Sequence, residues 1–407
     1  MSEIMPRRTW LWMIGVAFLW RAFVSLLTPV PAEDGVNYLW MAQRFAENDV
    51  AAALSEVFPP LWSLAIAPFV ALGIDPFRAG QFVAAVCGAL TLVPVVRVTA
   101  ILCPAAVRAA AWFVIFAPLP TRLGAEVYTE PMFHLVAGLA TWNAMRGRPV
   151  EAGMWSGFAT WVRPEGILVA VAFAIVERRA ALRLLLSAAI PVLALGLWRQ
   201  RAVGEFIVFP KASFNADRLW DEVPGLLDFT WHWLGNAVEI PWLWCEAFAV
   251  VGVLAVLGMF RGRSRGSRPL TIMIALGIVL ICGFLPRRRF LVSWFVAVVP
   301  LAAMALRSLG RPRDAVFILA MLANILLSLR IQEPNRIAER RVGEYLGEQL
   351  APGDLVAGDM TRVLWFAGRR PLPPKHFTAD ELIERARLPR VRFVVLGARR
   401  EVTAEVV

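Results

Sequence analysis

The sequence predicts an all-α polytopic membrane protein with about eleven transmembrane helices, outer juxtamembrane helices and a small C-terminal α/β periplasmic domain. Of its 407 residues, 58% are hydrophobic, a share too high for a soluble domain of this length. Apolar runs alternate with short polar loops that are rich in arginine. After Leu329 the composition becomes polar, which indicates a separate soluble segment.

A helix needs about 20 apolar residues to cross a hydrocarbon core of ~30 Å, and fewer where it is broken or the bilayer thins. The first run is expected to stay in the membrane, because it is too long for a cleavable signal peptide and no small-residue cleavage site follows it. The predicted spans are Trp10–Val30, Ala79–Leu102, Ala106–Thr121, Pro131–Met145, Val150–Val162, Gly166–Val176, Leu184–Val203, Pro241–Phe260, Leu270–Leu285, Phe290–Leu306 and Ala315–Leu329.

Loop charge decides how the apolar run Pro60–Gly73 is interpreted. Its 14 residues would cover about 21 Å as a helix, which is short of a full crossing. If the run does not cross, the arginine-rich loops share the side of Arg7 and Arg8 and the acidic loops face the other side, as the positive-inside bias predicts. If it crosses, every later arginine-rich loop moves outside. The run is therefore predicted to be a juxtamembrane or re-entrant helix on the outer face.

Two domains are expected, with residues 1–330 in the membrane and 331–407 forming a small soluble α/β domain on the outer face. In the tail, hydrophobic periodicity predicts helices at Arg336–Leu350 and Ala379–Arg387 and strands at Gly353–Val356 and Val391–Leu396. Residues 31–77 form the first outer loop, which is the predicted active-site loop.

Composition also excludes some partners. The net charge of +11 comes from arginines at helix ends, which are typical of membrane orientation and argue against nucleic acid. The four cysteines lie in or beside apolar runs without metal-ligand spacing, so they are interpreted as small core residues. No compact metal-ligand cluster is visible; a divalent metal remains possible and no cofactor is assigned.

Topology places polar features from distant parts of the sequence on one membrane face. Ionisable residues at membrane depth are costly and tend to be functional, and arginines beside carboxylates suit a substrate that carries a phosphate. The features are Glu33-Asp34, Glu126 and Glu130, Arg163 with Glu165, Arg287-Arg288-Arg289, and the loop around Lys211–His232.

Several short motifs follow one another in a definite order along the chain. They are Asp34-Gly35-x-x-Tyr38, Pro59-Pro60-Leu61, Tyr128-Thr129-Glu130-Pro131, Arg163-Pro164-Glu165-Gly166 and Arg289-Phe290 before an apolar run that ends at Pro300. Their order and sidedness, from residue 10 to about residue 330, resemble the C-type class of integral-membrane glycosyltransferases. This class includes the dolichyl-phosphate-mannose protein mannosyltransferases and the bacterial lipid A aminoarabinose transferases. The tail, with Tyr345-Leu346 and Gly353-Asp354, resembles the small periplasmic domain of the bacterial branch.

The resemblance implies a transferase that moves a sugar from a polyprenyl phosphate to an acceptor on the outer face, with inversion of the anomeric carbon. It implies Asp34 as general base, with Glu33 able to share or take that role, and Glu130 as the residue that positions the acceptor or the base. Arg289, helped by Arg288 or Arg163, would hold the phosphate. Tyr38, Glu165 and Lys211 complete the candidate substrate-binding residues.

Two departures from the class pattern stand out. The acidic pair is Glu33-Asp34 followed by glycine, where several members carry Asp-Glu, and Phe290 stands where a tyrosine is usual. The acceptor is left open between lipid, glycan and protein, and the sugar is not specified. The expected location is the bacterial inner (plasma) membrane, in contact with membrane lipids, with the active site facing the periplasm.

Other interpretations remain open from the residues alone. The chain is alternatively a transporter or flippase for a lipid-linked or anionic solute, although two similar halves are not visible, or a polymerase or ligase of the O-antigen type. Asp34 also suits a helix N-cap, and Glu130 suits the positive end of a helix dipole. Arg163 and Glu165 are also able to pair with each other, and Arg287–Arg289 to bind lipid headgroups.

Overall fold

The computed structural model describes residues 6–210, 223, 225–261, 266–283, 286–330, 334–351, 354–358, 360–369 and 391–395. These residues are predominantly helical. The helices are α1 (Arg7–Leu26), α2 (Glu33–Ala46), α3 (Val50–Leu54), α4 (Leu61–Ala71), α5 (Pro76–Leu90), α6 (Leu92–Leu102), α7 (Val107–Ile115), α8 (Pro118–Ala125), α9 (Glu130–Met145), α10 (Pro149–Thr160), α11 (Ile167–Val176), α12 (Arg178–Val203), α13 (Leu226–Arg261), α14 (Arg268–Gly283), α15 (Arg288–Val292), α16 (Phe295–Arg307), α17 (Arg313–Ser328), α18 (Pro334–Gln349) and α19 (Thr361–Phe366), with strands β1 (Leu355–Gly358) and β2 (Val391–Val395).

The protein has the composition of a helical membrane protein. Within the described residues, five helical segments are long and apolar enough to cross a membrane: Arg7–Leu26, Pro76–Leu102, Pro104–Ala125, Arg178–Val203 and Leu227–Arg261. Shorter apolar helices include Leu61–Ala71, Pro164–Val176, Arg268–Gly283 and Phe295–Arg307. The predicted number of eleven spans is not tested by helix length and composition, and it stays a prediction.

Prolines explain where two predicted spans are interrupted. The predicted span Ala79–Leu102 consists of α5 and α6, which meet at Thr91. Pro94 has no N–H for the carbonyl of Leu90, and a continuous helix would need that bond. Residues 104–125 likewise break before Pro118, so that α7 and α8 are separate helices.

The helix α13 is longer than the sequence predicts. It starts at Leu226, well before the predicted Pro241, and includes part of the segment interpreted as a mixed outer loop. The acidic and aromatic residues of this segment masked its helical periodicity. The helix is interrupted at Ala249, whose φ of 49° is not helical.

Close packing against α12 fixes the position of α10. A Cβ at Gly153 or at Gly157 would collide with backbone atoms of α12, at Leu184 and Ala188 respectively. This spacing of two small residues four positions apart lets membrane helices approach closely. The residue that follows α10 by three positions, Arg163, is therefore carried on a firmly held helix.

The chain divides into two compact units. The first contains Met1–Leu27 and Tyr38–Arg330, and the second contains Thr28–Asn37 and Ile331–Val407. In the second unit, β1 pairs in parallel with β2, and Arg362 of α19 forms an ion pair with Glu339 of α18. Arg340 Nη1 donates a hydrogen bond of 3.3 Å to the carbonyl of Pro29. The start of the predicted active-site loop thus belongs with the C-terminal tail. The predicted helix at Ala379–Arg387 lies outside the described residues.

Candidate active site

Arg163 lies at the tip of a hairpin between α10 and α11. Its backbone is extended, with φ −153° and ψ 136°, as expected for a residue that precedes a proline. The hydroxyl of Ser156 donates to the carbonyl of Gly166 at 2.7 Å and accepts from the N–H of Ala170 at 3.1 Å. This serine therefore ties the two halves of the hairpin together below the tip.

The guanidinium of Arg163 is bound by two carboxylates. Nη1 lies 2.7 Å from Oε1 of Glu130, and Nη2 lies 3.0 Å from Oε1 of Glu165. The Glu130 side chain is 0% exposed and that of Arg163 is 11% exposed. Burial alone would lower the pKa of the guanidinium, but Glu165 and Glu130, with a smaller contribution from Tyr38, outweigh it and raise that pKa. Arg163 thus stays charged, and breaking this buried pair would be costly.

Glu130 begins α9 and follows a strained turn. Val127, two residues after the end of α8, has a φ of 64°, which is a rare conformation for a β-branched residue. Strain of this kind costs of order 1–3 kcal/mol and is often found at functional sites. The turn directs Tyr128, Thr129 and Glu130 toward the hairpin tip, where Glu130 meets Arg163.

Two buried polar atoms in this ion pair are not satisfied by any described residue. They are Oε2 of Glu130 and Nε of Arg163. Buried polar atoms usually have hydrogen-bond partners, so these two atoms retain bonding capacity beside the pair. A bound ligand or water is the ordinary way to satisfy such atoms.

A second arginine joins the cluster through aromatic rings. The guanidinium carbon of Arg289 lies 5.0 Å from the ring centroid of Phe290 and 5.2 Å from that of Tyr128. The guanidinium carbon of Arg163 lies 5.4 Å from the same Phe290 ring. Both guanidinium groups therefore contact the ring of Phe290. Each cation–π contact of this kind contributes about 0.5–2 kcal/mol. Arg288 is half-buried and makes no such contact with a described residue.

His134 connects α9 to the segment that carries Arg289. Its Nε2 lies 2.7 Å from the carbonyl oxygen of Val292 at the end of α15. A carbonyl only accepts hydrogen bonds, so the proton is on Nε2. This residue lies one helical turn after Glu130 and fixes α15 relative to α9.

The first three residues of α4 bind three separate segments of the site. Leu61 N–H donates to the carbonyl of Trp161 at 3.0 Å. Trp62 Nε1 donates to the carbonyl of Val127 at 3.3 Å, and Ser63 Oγ donates to the carbonyl of Tyr38 at 2.8 Å. The hairpin, the strained turn and the Tyr38 turn of α2 are held by one helix end.

Tyr38 is buried, and its ring packs edge-on against Phe58 at 4.9 Å between centroids. The ring thus lies among residues of the first unit. Tyr38 thus joins Glu165 and Arg289 among the predicted substrate-binding residues that the structure places in the first unit.

Glu33 and Asp34 occupy the first turn of α2, where the helix dipole favours negative charge. Glu33 is exposed, whereas Asp34 is half-buried. Both belong to the second unit. Of the pair, Asp34 is the side chain with the more sheltered surroundings.

Two other expectations concern Lys211 and metals. Lys211 lies outside the described residues. Among the residues that the structure describes, no group of three or more histidine, cysteine, aspartate or glutamate side chains is arranged to hold a metal ion.

Sequence reasoning missed several residues that organise the site. Trp62, Ser63 and His134 make the contacts described above and are not among the candidate residues that the sequence indicates. A polar serine directly after Pro-Pro-Leu-Trp, and a histidine one turn after an acidic residue at a helix start, are the signals that were available. Their partners are backbone carbonyls from distant segments, which a sequence does not pair.

Comparison with known proteins gives a fold and little sequence similarity. No family model matches the sequence, and no curated protein matches it. A crystal structure of ArnT from Cupriavidus metallidurans bound to undecaprenyl phosphate matches with a TM-score of 0.64 and 15% identity. The match covers 94% of this chain and 89% of that chain. The apo form of that protein matches with a TM-score of 0.62, 16% identity and coverage of 94% and 88%.

An oligosaccharyltransferase from Archaeoglobus fulgidus, in complex with zinc and sulfate, matches with a TM-score of 0.57 and 14% identity. The match covers 88% of this chain and 62% of that chain. The fold of this chain is that of the C-type membrane glycosyltransferases. This fold confirms the resemblance that the order of the motifs indicates.

Proposed function

We propose that this chain is an integral-membrane glycosyltransferase that moves a sugar from a polyprenyl phosphate to an acceptor hydroxyl. The observation that carries the proposal is the buried cluster of Arg163, Glu130 and Glu165, adjoined by Arg289, in a C-type fold. Arginines that are held rigidly by carboxylates and rings suit the recognition of a phosphate at the membrane surface. The match to a structure that contains undecaprenyl phosphate supports a lipid of the same class.

In the proposed reaction Asp34 is the general base. Its carboxylate takes the proton of the acceptor hydroxyl, and the acceptor oxygen forms a bond to the anomeric carbon of the sugar. The bond from that carbon to the phosphate oxygen breaks, and the polyprenyl phosphate leaves with the electron pair. Attack opposite the leaving group inverts the anomeric configuration. Asp34 is preferred over Glu33 because it is the less exposed of the two.

The arginines have different proposed roles. Arg163 already binds two carboxylates through its terminal nitrogens, so its main role is to hold Glu130 and the hairpin in place. Arg289, assisted by Arg288, is the proposed ligand of the donor phosphate, and the Phe290 ring fixes its direction. Tyr38, Glu165 and Lys211 are proposed to line the binding site for the sugar.

The proposed orientation has the site and the tail on the outer face of a bacterial inner membrane, with eleven spans and an α/β fold for residues 331–407. The positive-inside distribution of arginines supports it. An alkaline phosphatase fused after Leu329 is expected to be active, and one fused after Arg148 is expected to be inactive. The reverse pattern would overturn the orientation.

The reaction is tested with purified protein in lipid nanodiscs. A radiolabelled polyprenyl-phosphate sugar is incubated with cell-envelope lipids and glycans from a strain that lacks the gene. The expected result is release of polyprenyl phosphate together with label in one acceptor fraction. A flippase would move the donor between leaflets with its sugar bond intact. Intact donor after incubation, with transbilayer movement in vesicles, would replace the transferase by that alternative.

A further inference from the structure

We propose that Arg21 is a positioning residue that sets the direction of α8 and thereby delivers Glu130 to Arg163; this inference rests on the proposed transferase function. Arg21 lies in α1 and is only 4% exposed. No described carboxylate pairs with it. A buried arginine without a counter-ion is expensive in a membrane protein and calls for a specific explanation.

The guanidinium of Arg21 binds the C-terminal end of α7. Its Nη2 donates to the carbonyl of Val114 at 2.8 Å, and its Nη1 donates to the carbonyls of Ile115 at 3.4 Å and Ala17 at 3.1 Å. The last carbonyls of a helix lack intrahelical partners and carry the negative end of its dipole. A cation that donates to them is therefore favourable there, without a carboxylate.

Pro118 explains why α7 needs this partner. In a continuous helix the carbonyl of Val114 would accept from the N–H of residue 118, but proline has no N–H. Arg21 supplies the missing donor from another helix. The chain can then end α7 at Ile115 and start α8 at Pro118 without leaving a buried carbonyl unsatisfied.

The room for this side chain is provided by α5. A Cβ at Gly88 would collide with Nε of Arg21, so a larger residue there would make the arginine side chain shift. Glycine in a helix interior is unfavourable by itself. Its presence at the Arg21 contact indicates that the path of the arginine side chain is specifically accommodated.

The direction of α8 matters because it leads to the site. α8 has eight residues, or about 12 Å of helix, and a tilt of ~10° at its start would move its end by about 2 Å. The strained Val127 and Glu130 follow within five residues of its last residue, Ala125. A shift of that size would separate Glu130 from Arg163, which are 2.7 Å apart. Catalysis is sensitive to displacements of ~1 Å, which cost up to about 100-fold.

The test compares Arg21→Met with Arg21→Met/Pro118→Ala. Arg21→Met removes the donors and is expected to lower both the melting temperature and kcat, the latter by about 100-fold, with a smaller change in KM. Pro118→Ala restores an N–H for the Val114 carbonyl, so the double variant is expected to regain thermal stability. It stays inactive, because the bond from the N–H of residue 118 to the Val114 carbonyl extends α7 past Ile115 and changes the direction in which α8 starts. Pro120, which lacks an N–H for the carbonyl of Phe116, still separates the two helices. Arg183→Met, which removes an exposed arginine of α12, is the matched control and keeps wild-type transfer.

Activity that returns together with stability in the double variant would show that Arg21 only stabilises the fold and would overturn the proposal. Unchanged kcat in Arg21→Met would overturn it as well. Hydrogen exchange over residues 112–130 gives a readout that needs no substrate: Arg21→Met should exchange faster than wild type there, and equal rates would refute the role. If wild-type protein itself transfers no sugar, the transferase function fails, and the exchange result still decides whether Arg21 sets this segment.

Discussion

The protein carries two acidic motifs that differ in their surroundings. Glu130 is fully buried, with one carboxylate oxygen 2.7 Å from Arg163. Asp34 begins a helix and is half-buried beside an exposed Glu33. A carboxylate that is enclosed and neutralised by an arginine organises its neighbours, whereas one with partial access to solvent is able to exchange a proton with a substrate. The two carboxylates therefore differ first of all in burial, and this difference suits the two roles proposed for them.

The largest effect is expected at Asp34. Asp34→Asn removes the proposed base and should lower kcat by about 100- to 10,000-fold. Its melting temperature should fall only slightly, because the half-buried side chain loses a charge that the dipole of α2 favours. Glu33→Gln is the matched control. Its kcat should stay within about threefold of the wild-type kcat, because Glu33 is exposed. Transfer assays and thermal unfolding of the three proteins check this. Full activity in Asp34→Asn, with loss in Glu33→Gln, would move the base to Glu33.

Glu130→Gln is expected to act mainly through structure. It leaves Arg163 with one carboxylate, and breaking a buried pair costs about 3–5 kcal/mol, so the melting temperature and activity should fall together. Replacing all three partners, as in Glu130→Gln/Arg163→Met/Glu165→Gln, should be less destabilising than Arg163→Met alone, which leaves two carboxylates without their cation. Thermal unfolding in detergent measures both. An inactive Glu130→Gln variant with wild-type stability would instead make Glu130 a residue that acts on the substrate.

A smaller effect is expected at Arg289. Arg289→Ala should raise the KM for the polyprenyl-phosphate donor by about tenfold or more, because a hydrogen bond to a charged group contributes ~1.5–3 kcal/mol. The KM for the acceptor should change little. Arg287→Ala, which removes an exposed arginine two residues earlier, is the control. Equal increases for both variants would point to general attraction of anionic lipid instead of a specific phosphate contact.

The smallest effect concerns Phe290, where the class usually carries a tyrosine. Phe290→Leu removes the ring shared by Arg163 and Arg289 and should raise donor KM by about two- to fivefold, in line with ~0.5–1 kcal/mol for a partly exposed cation–π contact. Phe290→Tyr keeps the ring and should match wild type. Donor titrations of the two variants measure the difference. A Leu variant with wild-type KM would show that the ring is only packing.

The sequence predicts the fold better than it predicts the site. Apolar runs and loop charge predict a helical membrane protein, and the order of short motifs predicts the C-type fold, which is confirmed. The ends of helices are less predictable: α13 starts before Pro241 because a helix with mixed acids and aromatic residues lacks a clear apolar periodicity. The residues that hold the site together are the least predictable. Trp62 and His134 bind backbone carbonyls of remote segments, and nothing in local composition identifies such partners.

Arg163 shows both a feature that the sequence predicts, the helix break, and one that it does not, the distant ion-pair partner. Its place at a helix break follows from the Pro164 that comes after it, and pairing with Glu165 two residues away was one of the interpretations from sequence. The closer partner, Glu130, is 33 positions away and follows a strained valine in the chain. Local chemistry predicts the break, whereas the tertiary fold selects the partner.

The start of α4 implies a constraint on chain length. Because Leu61, Trp62 and Ser63 each bind a different segment, deleting one residue from the connection before them would rotate the three by about 100° around the helix axis and break all three anchors together. Substitutions in the same connection would leave the rotation unchanged. Distant homologues should therefore tolerate few insertions or deletions close to Pro59-Pro60, while the exposed positions of residues 47–57 vary in composition.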